Sequence, residues 1–383
     1  MAVYKIFPEK DATMYSLFPA MNTGLDEILE AGNLNLSANT NPQVSRALVK
    51  FNQDEINNVF SSLVSSSDWS ANLRLFIATA QSVDTDYQLE VYPVSGSWTM
   101  GTGKYLDNPI ATNGVSWKWR TFANGNAWPV SGLSPYVTSS YSGSNTGGGN
   151  WYTGSTHTLP VTSSQTFNYR SDKDLNAPVK GIVAAWYSSS NAIGSATNIV
   201  NEGFLIKWED AIEFNPNPPI QPVLQYYSVD THTIYPPTLE IKWNDFIFNT
   251  GSSTQTILTD PQAYISIANN EGFFYSSSIQ QFRVDSRPQY PAIIFQTASI
   301  YTTNYYLPSG SSYWAIKDLD TNEYVIDFDS TYTQISADAT SSYFTVYMNG
   351  LQPERYYTIL IQTTIGGTTR VFDSNYNFKV ING

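Results

Sequence analysis

Two histidines, His157 and His232, each stand in a Thr-His-Thr context within turn-rich sequence. A hydrolytic triad needs a serine on a sharp turn with such an imidazole held against it, and no Gly-x-Ser-x-Gly occurs. With 0 cysteines beside them, the two histidines fall short of the three or four ligands of a zinc site, so both read as exposed loop residues. Gly101-Thr102-Gly103 lacks the third glycine of a phosphate cradle. Carboxylates offer more. Asp318-Leu319-Asp320-Thr321-Asn322 has the spacing that opens a calcium loop, but Glu323 stands where that turn wants glycine, and a hairpin tip accounts for it as well. Glu202, Glu209, Asp210 and Glu213 form an acidic group, and glycosidic chemistry needs two carboxyls roughly 5–10 Å apart. Aromatic residues are the most unusual feature. Trp98, Trp117, Trp119, Trp128 and Trp151 gather around turns in the first half, as candidates for a platform that stacks sugar rings. The alternative for them is a place in the core or at a subunit interface.

The elements that must position these residues are mostly strands. Period-2 alternation runs through Asn72–Ala78, Gln88–Val94, Gly203–Trp208, Leu239–Trp243, Tyr343–Met348 and Tyr356–Gln362. Gly366-Gly367 separates two strand-like runs at hairpin distance. Ile56, Val59, Phe60 and Leu63 instead fall on one face of a helix, and Val179, Ile182, Val183 and Trp186 repeat that spacing after Pro178. Both read as short helices that plug the open ends of a β-sandwich. Ser142–Asn150 (SGSNTGGGN) reads as a long surface loop. Four prolines between Pro216 and Pro222 read as a stiff connector, dividing the chain into 1–215, a linker over 216–222, and 223–383 as one large or two small sandwiches.

Composition sets outer bounds. The 383 residues carry a formal charge of −13, which argues against nucleic-acid binding, since phosphate backbones call for a basic stripe. Aromatic content of 15% against 13% charged residues marks a folded chain. No apolar run approaches the ~20 residues of a membrane span, and the N-terminal residues lack the apolar stretch of a signal peptide.

Several segments of the first half occur in an order that carries a likeness: Asp11-Ala12-Thr13, Ser45-Arg46-Ala47-Leu48-Val49-Lys50-Phe51, Ala71-Asn72-Leu73-Arg74-Leu75, Val91-Tyr92-Pro93-Val94 with Trp98, Gly114-Val115-Ser116-Trp117, the Pro178–Trp186 helix, and Asn201-Glu202-Gly203-Phe204-Leu205-Ile206-Lys207. Residues 1–213 thereby resemble a DNRLRE-type module, a jelly-roll β-sandwich grouped with carbohydrate-binding modules. The departures are a long insertion around 121–160 and Lys173-Asp174-Leu175-Asn176, where relatives more often carry an acidic run. In the second half, Phe282–Pro288, Trp314–Asp318, Gly350–Tyr357 and Phe378–Val380 resemble an immunoglobulin-like domain found in structural proteins of T4-like marine cyanophages.

The resemblance implies an all-β protein, a jelly roll followed by an immunoglobulin-like region. It also implies a non-enzymatic virion protein of the tail, neck or baseplate. The absence of a leader fits assembly in the host cytoplasm. Its partners would be other virion proteins and copies of itself, with neither nucleic acid nor membrane insertion. No cofactor is implied, although the first sandwich leaves room for a structural calcium ion. Two other functions stay open, a host-surface glycan-binding fibre or adhesin and a polysaccharide depolymerase.

Overall fold

The computed structural model describes residues 2–33, 43–64, 66–81, 86–122, 125–129, 137–139, 147–153, 155–156, 159–191, 199–213, 222–251, 253, 255–290 and 304–383. His157 and residues 216–221 of the proline-rich stretch lie outside them. Strands dominate, and their curled sheets form sandwich-like arrangements, as the alternation implies. Two compact units emerge. The larger holds Ile6–Leu63 and Ser70–Glu240; the smaller holds Met1–Lys5, Val64–Trp69 and Ile241–Gly383. This division differs from the expected break across 216–222, because the strand after the prolines hydrogen-bonds within the larger unit.

In the larger unit the main strands are β1 (Pro8–Tyr15), β2 (Ile28–Asn33), β3 (Val44–Phe51), β4 (Trp69–Leu75), β5 (Ile77–Gln81), β6 (Tyr87–Pro93), β7 (Ser163–Phe167), β8 (Leu175–Pro178), β9 (Phe204–Trp208) and β10 (Val223–Tyr227). One sheet runs β7-β6-β9-β3-β2-β10-β5, with β1 also paired to β3; Asn72–Leu75 of β4 pairs with β8. β10 lies between β2 and β5, with Leu224 opposite both Ala31 and Ala80. All five residues of β9 are buried, so here alternation sorts two interiors and not core from solvent.

Both expected helices form, as α1 (Gln53–Ser62) and α2 (Lys180–Ser190). The Asn52 side chain caps α1 by accepting from the amides of Asp54 (2.9 Å) and Glu55 (3.1 Å). Ile56 and Val59 are buried, and Phe60 meets Tyr187 of α2 at 5.1 Å between ring centroids. Trp186 packs on Phe204 of β9 at 4.6 Å.

The smaller unit contains β11 (Ala263–Ala268), β12 (Phe273–Tyr275), β13 (Ile279–Pro288), β14 (Ser312–Asp318), β15 (Tyr324–Ile326), β16 (Ser336–Ala337), β17 (Ser342–Tyr347), β18 (Tyr356–Ile365) and β19 (Thr368–Ile381). One sheet runs β11-β13-β17-β16, the other β12-β19-β18-β14-β15. In immunoglobulin lettering these are A-B-E-D and G-F-C-C′, with β12 added parallel to G. Two marks of that architecture are present. Trp314 on the C strand is fully buried and stacks on Phe344 at 5.1 Å. Tyr357, at the start of F, donates its hydroxyl to the Gln352 carbonyl at 3.0 Å, forming a tyrosine corner. Buried Phe282 and Ile359 fill a core built without any disulfide. The second half thus forms one sandwich, whose core also takes in Val3. Gly366 and Gly367 close the β18–β19 hairpin with φ of +57° and +80°, the left-handed pair that a two-residue turn needs.

Candidate functional site

Four of the five tryptophans offered as a sugar platform are interior: Trp98, Trp117, Trp128 and Trp151 are at most 3% exposed. They cannot stack a ligand. Their neighbours explain their burial. Arg46, on β3, has its guanidinium carbon 5.0 Å from the ring centres of both Trp117 and Trp151. Its Nε donates to Glu213 Oε1 at 2.9 Å, and Nη1 donates to the Gly148 carbonyl. Lys207, on β9, lies 3.2 Å from Glu213 Oε2 and donates to Asp210 Oδ1 at 2.7 Å. Arg46, Lys207 and Glu213 have fully buried side chains, so each needs the others, because an uncompensated buried charge costs about 3–5 kcal/mol. Trp98 donates its indole N–H to the Glu202 carbonyl (2.8 Å) and Trp128 to that of Ser116 (3.0 Å). Trp119 alone keeps a half-buried ring, beside Phe122 and 4.9 Å from Lys118 Nζ.

The triple glycine next to Trp151 also departs from expectation. Gly147, Gly148 and Gly149 are buried and not at a loop surface. A Cβ on Gly147 would sit 2.1 Å from the Trp117 carbonyl oxygen, and one on Gly148 would sit 2.8 Å from Arg46 Nη1. Glycine is there for close approach to the Trp–Arg stack.

The acidic group divides in the same way. Glu213 and Asp210 hold Lys207, Glu202 lies 3.5 Å from Lys50, and the Glu209 carbonyl accepts from the amides of Ile212 and Glu213 in a helical turn. The Asp318 motif closes a hairpin turn. Asp318 accepts from Arg355 Nε at 2.5 Å and Nη2 at 2.6 Å, and from the amides of Asp320 and Thr321. With its carboxylate engaged by a guanidinium, that loop does not fit a calcium ion. His232 is exposed in a turn. Among the described residues, no group of three or more His, Asp or Glu is placed to hold a metal ion, and no helix is long and apolar enough to cross a membrane.

A different set of residues makes a pocket in the larger unit. Tyr15 at the end of β1, Phe18 in the following turn and Tyr105 from a distant loop form an aromatic corner. Tyr15 and Tyr105 lie 4.9 Å apart between centroids, tilted by 48°, and Phe18 meets Tyr105 edge-on at 6.3 Å. Glu30 and Ser45, from β2 and β3, complete the wall, with Gly32 and Gln43 beside them. The cavity is 60 Å³, room for about four water-sized positions, enough for one edge of a small ring. Ser45 Oγ donates to Glu30 Oε1 at 2.8 Å and Gln225 Nε2 to Oε2 at 3.2 Å. Two accepted bonds leave about half of a carboxylate's lone-pair sites open. Burial pushes the hydroxyl pKa values of Tyr15 and Tyr105 up, with Glu30 and Asp26 adding to the rise, so both remain neutral hydrogen-bond donors.

The loop that presents Tyr105 is firmly held. Asn22, fully buried, donates from Nδ2 to the carbonyls of Met100 (2.6 Å) and Val115 (2.8 Å). Its Oδ1 accepts from the amides of Gly103 (2.9 Å) and Gly24 (3.3 Å). Gly101 and Gly114 pack so closely that a Cβ on either would come within 2.2 Å and 2.5 Å of the Asn22 side chain. Asp26 Oδ2 then accepts from the Tyr105 amide itself at 3.0 Å. The pocket is therefore preorganised, with its aromatic wall pinned to the β-sheet scaffold. Its residues escaped the sequence reading because Tyr15 and Tyr105 are 90 positions apart. The one available signal was the glycine spacing at 101, 103 and 114, which marks a close approach.

No family model, curated protein or solved structure matches the chain.

Proposed function

We propose that the protein works by surface recognition and not by catalysis: a bacteriophage structural protein whose larger unit binds a host-surface glycan. The observation that carries the binding half is the preorganised aromatic pocket. Ring faces are electron-rich and meet the C–H face of a sugar, while Glu30, Ser45 and Gln43 suit its hydroxyls. Purified full-length chain passed over host polysaccharides should be retained, and Tyr105→Ala should abolish retention, since Tyr105 is 46% exposed and its loss leaves the core untouched. Equal retention of both forms would overturn the assignment of the pocket.

The assembly half rests on the sequence resemblance, and one surface of the smaller unit favours it. Phe273 on β12 and Tyr356 on β18 both lie opposite Lys379 of β19, one from each side. Phe273, Tyr275 and Tyr356 are 50–51% exposed. An outward aromatic row of this kind is what subunit interfaces are enriched in. Immunogold labelling of purified particles should place the protein on a tail, neck or baseplate; recovery from cell envelopes and not from particles would refute the virion reading.

A further inference from the structure

We infer that the pocket selects a sugar bearing a free, protonated amine over acidic or N-acylated sugars. This rests on the pocket reading above and adds its chemical class. Three observations carry it. First, Glu30 lines the cavity, and the donors that its two carboxyl oxygens meet, Ser45 Oγ and Gln225 Nε2, are neutral and leave acceptor sites open to a cationic ligand. Second, Tyr15, Phe18 and Tyr105 line the same cavity as Glu30 with their rings in mutual contact, and the negative face of an aromatic ring attracts an ammonium group. Third, the charges that bear on both tyrosines are Glu30 and Asp26, both acidic. The neighbouring Lys104 is turned to Glu27, at 3.5 Å from its Oε1. Among the described residues that line the cavity none is a lysine or arginine, so a uronate or sialate would bring its own negative charge next to Glu30. An N-acetyl group would replace the ammonium donor with a neutral amide and add bulk in a cavity of 60 Å³.

The test is calorimetric titration of the full chain with five probes: a glucosamine oligomer with free amines, its N-acetylated counterpart, a uronic acid oligomer of equal length, and choline and free lysine as amines without a sugar. The free-amine oligomer should bind at least tenfold more tightly than the N-acetylated one, and the uronic oligomer should give no measurable heat. Glu30→Gln keeps the acceptor for Ser45 and should erase the tenfold preference, whereas Tyr105→Ala should weaken all sugar binding. Equal affinity for the free-amine and N-acetylated oligomers, or preference for the uronic oligomer, overturns the charge selection while leaving the pocket a sugar site. Binding of choline or free lysine as strong as the amine oligomer shows ammonium recognition without a sugar and overturns the ligand class. No heat from any probe overturns the pocket reading and this inference together.

Discussion

Asn22 is the residue on which the pocket loop should turn. It spends all four of its side-chain hydrogen-bonding sites on backbone groups, two amides and two carbonyls, with none of itself in solvent. Asn22→Ala leaves those four groups without their partner. Each buried orphan costs about 1–3 kcal/mol, which would total about 4–12 kcal/mol if none found a substitute. The carbonyls keep a second lone pair, the Gly24 contact is long at 3.3 Å, and the vacated volume admits water. The two amides then dominate, and a loss of about 3–4 kcal/mol is expected. Because the chain forms two units, a single unfolding midpoint is a poor readout. Hydrogen exchange is better suited, since it reports opening segment by segment. At about 1.4 kcal/mol per decade, peptides covering residues 21–26 and 99–115 should exchange roughly 10²–10³ times faster in the variant. Peptides from β18 and β19 should be unchanged. Asn22→Asp separates the two halves of the effect: it retains an acceptor for Gly103 and Gly24 but sets carboxylate oxygens against the Met100 and Val115 carbonyls. Exchange in Asn22→Ala within threefold of the wild type would refute the claim that this side chain holds the loop.

Three other predictions follow from buried or paired groups. Asp11 is 1% exposed and its carboxyl is raised well above the usual range, by burial first, against the Val229 amide that donates to it at 2.7 Å, with Asp230 and Asp26 adding to the rise. A raised carboxyl favours the fold below its unfolded pKa and loses that advantage as pH climbs, so the melting temperature of Asp11→Asn relative to wild type should rise by at least roughly 2 °C between pH 4 and pH 8; a flat difference would count against it. Asp338 is held down to about 2 by its Arg283 hydrogen bonds, against burial and with help from the Ser341 and Thr340 amides, so its contribution should be present above about pH 4 and fade towards pH 2. Its side chain is 37% exposed, which limits the effect to about 1 kcal/mol or less, and a carboxyl NMR titration with a midpoint near 4 would contradict the pairing. Tyr357→Phe removes the hydroxyl from the Gln352 carbonyl and should cost about 1 kcal/mol, seen as roughly fivefold faster exchange in β18; unchanged exchange would show the corner to be dispensable.

What could be read from the sequence was whatever depends on near neighbours. Ile56 and Val59 announce a helix face by spacing, and Gly366-Gly367 announces a turn because few other pairs adopt two positive φ angles. The tryptophans were not legible in this way. Trp117 looks the same in sequence whether it faces solvent or covers Arg46, and the choice is made by Glu213, 167 positions beyond that arginine. Arg46 and Lys207 alternate like outward residues, yet they face a second interior where a carboxylate meets them. The glycines misled for a related reason. The Ser142–Asn150 stretch reads as a surface loop in sequence, whereas Gly148, like Gly103 and Gly114, marks a place where another chain segment leaves no room for a Cβ. The pocket needed β1, β2, β3 and the loop around Tyr105 to meet, and nothing local to any of them reports that meeting.

The place of β10 bears on the order in which the chain can become a protein. Asn33 and Val223 are both paired in the same sheet, yet about 190 residues are made between them. At roughly 5–20 residues per second, β2 would wait on the order of 10–40 s on the ribosome for the strand that covers its edge. An open strand edge is a template for wrong pairings, and this one flanks Glu30 and Gly32 of the pocket wall. Slow synthesis should therefore cost the larger unit more mispairing than it costs the β18–β19 hairpin of the smaller one, whose strands meet across a two-residue turn almost as soon as they emerge.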